Sequence, residues 1–286
     1  MIQRIGFLFL MCIAGMAHAL QPYVSADKVA GGDLAAAMNA VEAKLVAAGF
    51  TVVGKHTPAG VAAGTVVVID AGLLDATKAA GGATIVAAPL RVGVKADGTV
   101  SYLNTEYWLR AIARGDYAKV EAAGKAAGDK LRAALGGGQP FGGDVPAGDL
   151  PTYRYMFGMP RFGDSAELKS YTSFETALAA VRENAAKGVG KTAKVYEVVA
   201  ADKKVAVVGF SQNDTEKGEA WWVNKIGVDH IAALPWEVYI VDKTVYSLAG
   251  RYRTALSWPS LSMGQFMGIV QHPDNVRQMA LDIAGF

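Results

Sequence analysis

The chain holds a single cysteine, Cys12, which excludes an internal disulfide. Histidine is scarce, at four residues, and no His-Glu-x-x-His pattern or paired acidic cluster occurs to suggest a metal centre or a two-carboxylate site. Charge of one sign is also lacking. The 28 Lys and Arg against 26 Asp and Glu leave a formal charge of +2, with both signs interspersed, so no basic patch addresses nucleic acid or anionic lipid. No later apolar run reaches the ~20 residues that a bilayer span needs.

What the chain has at its start is the tripartite pattern of an export signal. Arg4 supplies the positive region, Ile5 to Met16 an apolar stretch too short to anchor, and Ala17-His18-Ala19 a small-x-small cleavage site. Cleavage there predicts a periplasmic or secreted protein beginning at Leu20, with no membrane span. Cys12 leaves with the leader, since Phe9, Leu10 and Met11 before it do not suit lipidation, and the formal charge falls to +1. The mature chain then has no thiol, and its stability rests on its core.

A repeat organises the remainder. Pro89 to Leu103 lies over Pro235 to Leu248 with one deletion at the turn; beyond it Thr99, Val100, Leu103, Tyr107 and Ala111 face Thr244, Val245, Leu248, Tyr252 and Leu256. Both segments read as hairpins, turning at Asp97-Gly98 and Asp242-Lys243. Upstream, Asp33 to Ala48 and Ser173 to Lys187 are helix patterns opened by a capping residue, with Leu34, Met38, Val41 and Leu45 on one face of the first. Two β-rich runs follow each: Phe50 to His56 and Thr65 to Ile69, then Ala193 to Val199 and Val205 to Phe210. The glycines and prolines of 136–151 read as a linker. The expectation is an α+β protein of two tandem α/β-sandwich modules from internal duplication, each an antiparallel sheet with helices on one face. Module 1 spans 20–135 and module 2 spans 152–286, after a signal peptide at 1–19.

The run Gly49-Phe50-Thr51-Val52-Val53 to His56, the strand Thr65 to Ile69, and Ala88-Pro89-Leu90-Arg91-Val92 resemble the DUF302 family of small bacterial α+β domains. The resemblance covers most of module 1 and implies a fold without implying an activity. That family often carries Cys after the proline; Leu90 stands here, so thiol chemistry is absent.

Several local patterns dissolve in context. Gly188-Val189-Gly190-Lys191-Thr192 has the residues of a phosphate loop, but it follows a helix and leads into a strand, the reverse of what phosphate binding needs; the glycines read as a helix stop. Gly209-Phe210-Ser211-Gln212-Asn213 starts like a nucleophile elbow and lacks its final glycine. His56, His230 and His272 read singly as satisfied polar residues, and no catalytic set is assigned; an enzyme would reveal itself by His56 or His230 beside a carboxylate in a pocket.

Two candidate sites remain. The segment Gly250 to Pro259, with Arg251, Tyr252, Arg253 and Trp258, together with Trp221, Trp222 and His230, offers aromatic walls and cations for a small anionic or flat ligand. Strand alternation would put Arg251 and Arg253 on one face; alternatively these aromatics join the modules. Met263, Met267 and His272, or the pair Met156 and Met159, suit Cu(I), while the plain reading is that methionine fills gaps. The leading reading is a non-catalytic binding or accessory protein holding a small molecule or a periplasmic partner protein between the modules or near Arg251 to Trp258. Cofactor-free function is expected, with copper as the alternative, and an enzyme of unassigned reaction stands behind both.

Overall fold

The computed structural model describes residues 18–286, so Cys12 and most of the expected leader lie outside the described residues. The first half runs β1 (Ala19–Leu20), β2 (Tyr23–Ser25), α1 (Leu34–Ala47), β3 (Thr51–His56), β4 (Ala63–Ile69), α2 (Ala71–Ala80), β5 (Pro89–Lys95), β6 (Val100–Leu103), α3 (Thr105–Ala113) and α4 (Tyr117–Leu135). After β7 (Pro140–Phe141) and β8 (Val145–Pro146), the second runs β9 (Ala166–Ser170), α5 (Phe174–Lys187), β10 (Thr192–Ala200), β11 (Val205–Gln212), α6 (Glu219–Ile226), β12 (Trp236–Val241), β13 (Thr244–Ser247), α7 (Gly250–Ser257), α8 (Met263–Gly268) and α9 (His272–Ala284). The fold is α+β, with antiparallel sheets ordered β3-β4-β5-β6-β2-β7 and β10-β11-β12-β13-β9, and a two-stranded β1-β8 ribbon. No helix among the described residues is long and apolar enough to cross a membrane.

The local signals act as their chemistry requires. Asp33 and Ser173 cap α1 and α5, their side chains accepting from Ala35 and Thr176 N–H groups. Gly188 closes α5 in the left-handed conformation at φ 68, so the phosphate-loop pattern is a helix end. Ser211 lies inside β11, its Oγ directed to the Ala193 carbonyl at 3.3 Å, so no nucleophile elbow forms. The segment 136–151 is no free linker: β7 pairs with β2 as a sixth strand of the first sheet, and β8 pairs with β1.

The halves share one strand order and meet reciprocally. The 3-10 turn Gly82–Ala87 rests on β11 and β12, and the matching turn Ile231–Ala233 rests on β4 and β5. Tyr107 donates its hydroxyl to the Leu256 carbonyl at 2.9 Å, while Tyr252 donates to the Ala111 carbonyl at 3.2 Å. Each contact exchanges aligned positions, as across a two-fold axis. The sheets face one another, so β4 and β11 are buried along their whole lengths. Strands buried on both faces need unbroken apolar runs, which Val66-Val67-Val68 and Val205-Ala206-Val207-Val208 supply.

At the axis the aligned positions Arg91 and Glu237 pair, Nη2 to Oε2 at 2.6 Å. Arg253 grips the other carboxylate oxygen through Nε at 2.9 Å, donates Nη2 to the Ala233 carbonyl at 2.7 Å, and lies between the rings of Trp108 and Trp236. Arg91 also donates to the Tyr196 hydroxyl at 3.1 Å. All three charges are buried. Burial works against the Arg91 charge, but Tyr196 and Glu237 outweigh it and raise its pKa. A bare Cβ at Gly209 would lie 1.9 Å from the Tyr196 ring, so glycine is what lets Tyr196 lie flat and reach Arg91. Removing one partner of such a group leaves buried charge uncompensated. Glu237→Gln is therefore expected to cost about 3–5 kcal/mol in urea unfolding; a loss below about 1 kcal/mol would show that the seam does not depend on this carboxylate.

Candidate functional site

The seam that was expected to hold a ligand is tightly packed along its centre, and a hollow lined by Lys95, Ser101, Phe141, His230 and Ile231 opens at its edge. A Cβ at Gly93 would lie 2.7 Å from Ile231, and one at Gly54 would lie 2.4 Å from the Val195 carbonyl, so backbones and side chains meet without a groove there. His56 crosses the seam to Glu219, Nε2 to Oε2 at 2.5 Å, with both side chains buried. This is the histidine and carboxylate pairing expected of an enzyme. His56 also lines a hollow with Asp33, Met38, Asn39 and Lys55, and the second oxygen of Glu219, Oε1, is buried without a hydrogen-bond partner among the described residues.

The segment after the last hairpin is helix α7 rather than strand. At about 100° per residue, Arg251 and Arg253 point roughly 200° apart. Arg253 enters the seam and Arg251 stays exposed. Tyr252 is buried in the reciprocal tyrosine contact, and so cannot touch a ligand. Consecutive positions on α6 divide in the same way: Trp222 is fully buried, whereas Trp221 lies half-buried under the Lys225 ammonium at 4.4 Å.

His272, expected beside Met263 and Met267, is instead enclosed by the rings of Trp222 at 4.5 Å and Trp236 at 5.2 Å, and its burial is complete. It opens α9 at a point where Gly250 of α7 comes up against Pro273, and that close approach draws it inward. Met263 and Met267 stay half-exposed on α8, so these three residues do not form a common metal site. Among the described residues no group of three or more His, Cys, Asp or Glu converges. His230 sits half-buried against Tyr23, Phe141 and Trp258.

The structure joins residues that looked unrelated in sequence. Met156 and Met159, from the turn before β9, meet Met263 and Phe266 of α8 and Arg251 of α7 around a cleft of about 590 Å³, its open mouth included. Trp258, at the end of α7, lines it and stands edge-on to Trp222 at 5.2 Å. Tyr155, Leu261 and the α7 surface at Thr254 and Ala255 complete a wall that is apolar but for the arginine. Ser262 builds a capping box with Gln265, and that box starts α8 at Met263. No acidic residue lines the cleft. The Met156 and Met159 pair had been singled out, but its meeting with Met263 and the lining roles of Tyr155, Leu261 and Phe266 escaped the sequence reading. The one available signal was the short spacing of Trp258, Leu261, Met263 and Phe266, an apolar series in a segment that forms no strand.

No family model, curated protein or solved structure matches this chain.

The aromatic surroundings of the two inner histidines govern pH behaviour. Burial lowers the pKa of His272 to about 3, with the Arg253 charge adding to the shift, and lowers that of His230 to about 4, partly opposed by Asp229. Both are depressed from about 6.5, so the folded state binds fewer protons than the unfolded one. Their contribution is present in full above pH 6.5 and is lost as pH falls toward 4 for His230 and 3 for His272, at up to about 1.4 kcal/mol per pH unit each. Urea midpoints between pH 7.5 and 4.5 are expected to fall accordingly, and His272→Phe is expected to flatten that fall. An unchanged slope in the variant would mean that His272 titrates normally in the fold.

Proposed function

We propose that this protein is a periplasmic or secreted, non-catalytic binding protein that holds a small apolar molecule bearing an anionic group in the cleft between α7, α8 and Tyr155 to Met159. The observation that carries this reading is an apolar cleft whose lone charge is the Arg251 guanidinium. Thioethers conform to irregular apolar shapes, Trp258 gives a rigid wall, and Arg251 supplies the charge that orients the ligand. The shared strand order and the reciprocal contacts support an origin by duplication. The likeness of the first half to the DUF302 family remains part of this proposal and adds no activity to it.

Titration of tryptophan fluorescence with carboxylates of increasing chain length, kept below micelle formation, tests the reading. Affinity is expected to rise about fourfold per methylene until the cleft is full. Arg251→Gln is expected to weaken binding roughly fivefold, as an exposed ion pair would. Met263→Asp, at a half-exposed position the fold tolerates, is expected to abolish it. Absence of saturable binding at any chain length would remove the proposal.

A second reading has one observation in its favour: three thioethers, from Met156, Met159 and Met263, line the same cleft and form a soft donor set for Cu(I). Arg251 and the lack of a carboxylate there oppose a cation, which ranks this reading second. It requires stoichiometric Cu(I) uptake against a chromogenic chelator, lost when all three methionines become leucine. Uptake that survives the triple variant would exclude these thioethers as the donors.

A further inference from the structure

Tyr155 separates the apolar cleft from a second hollow of different character. That hollow, of about 830 Å³ with its mouth, is lined by Asp144, Asp149, Arg154 and Arg161 together with Tyr153 and Pro259. Tyr155 lines both spaces, and the consecutive residues Trp258 and Pro259 belong to one each. Among the described residues Arg154, Arg161 and Asp149 enter no ion pair, and Asp144 accepts only from the Gln21 amide at 2.7 Å. An apolar cleft thus adjoins a hollow lined by two arginines, of which Arg154 lies over the Phe157 ring at 5.2 Å, and two carboxylates.

Building on the cleft reading above, we propose that the ligand is a single-chain amphiphile with a zwitterionic phosphoester headgroup, its chain in the cleft and its headgroup in the polar hollow. The planar fork of arginine matches phosphate oxygens two at a time, which favours a phosphoester over a neutral head. Asp144 and Asp149 match the ammonium that such a headgroup carries beyond its phosphate, and so favour it over a head of phosphate alone. The cleft is a single narrow channel walled by Trp258, Met263 and Phe266, which favours one chain over two.

The test uses the mature protein and three probes of equal chain length below their micelle concentrations: dodecylphosphocholine, dodecanol and dodecyl phosphate. The zwitterion is expected to bind roughly tenfold more tightly than the alcohol, the gain of charge-assisted hydrogen bonds in a solvated site. Arg154→Gln with Arg161→Gln is expected to erase that gain and leave dodecanol binding unchanged. Asp144→Asn with Asp149→Asn is expected to bring dodecyl phosphate level with the zwitterion. If the alcohol binds as tightly as the zwitterion, or the arginine variant loses both equally, the headgroup assignment is overturned while the cleft reading stands. If none of the three binds, both fall.

Discussion

Everything in this architecture turns on the buried group of Arg91, Glu237 and Arg253. Two positively charged side chains and one carboxylate sit where water does not reach, and they are tolerable there only because both carboxylate oxygens are engaged. The aligned positions 91 and 237 face each other across the pseudo-two-fold axis. Identical residues there would set like charges together, and the single chain escapes this by carrying Arg in one half and Glu in the other. The same geometry holds the centre of the seam together. A ligand wedged between the halves would have to separate an ion pair with no solvent ready to replace it.

The seam and the cleft share one helix. In α7 the face toward the seam presents Arg253 and Tyr252, and the outer face presents Arg251 and Ala255 to the cleft. A helix pinned on its inner side by an ion pair and a tyrosine hydrogen bond is a fixed wall for whatever lies on its outer side. The facing wall is of another kind. Met156 and Met159 come from the turn before β9 and Met263 from the short helix α8, with Met156 and Met263 exposed. A rigid floor under adaptable sulfur-rich walls is the feature on which the proposed binding of an apolar ligand rests.

Residue chemistry explains where sequence reading stopped. Capping side chains, glycine stops and apolar periodicity act within a few residues, so α1, α5 and the hairpins were legible, as was the reversed order that disqualifies the phosphate-loop pattern. Even the glycine-rich 136–151 misled only in part: its residues suit a connection, but pairing of β7 with β2 depends on an edge that lies far away in sequence. For α7 the short span Gly250 to Ser257 fits strand alternation as well as a helical turn, and the packing of Tyr252 and Arg253 into the seam decides for helix.

The sequence by itself determined the α+β composition, the two ordered sets of elements, and the positions that correspond between them, because each is written in local periodicity or in the repeat. Tertiary structure alone decided that Arg91 meets Glu237, that His272 is sealed among tryptophans, and that Met156, Met159 and Met263 converge on one cleft beside Arg251. Those facts depend on how one half lies on the other and how the C-terminal helices fold back. Spacing along a chain carries no information about a contact between residues about a hundred positions apart until the intervening elements are in place.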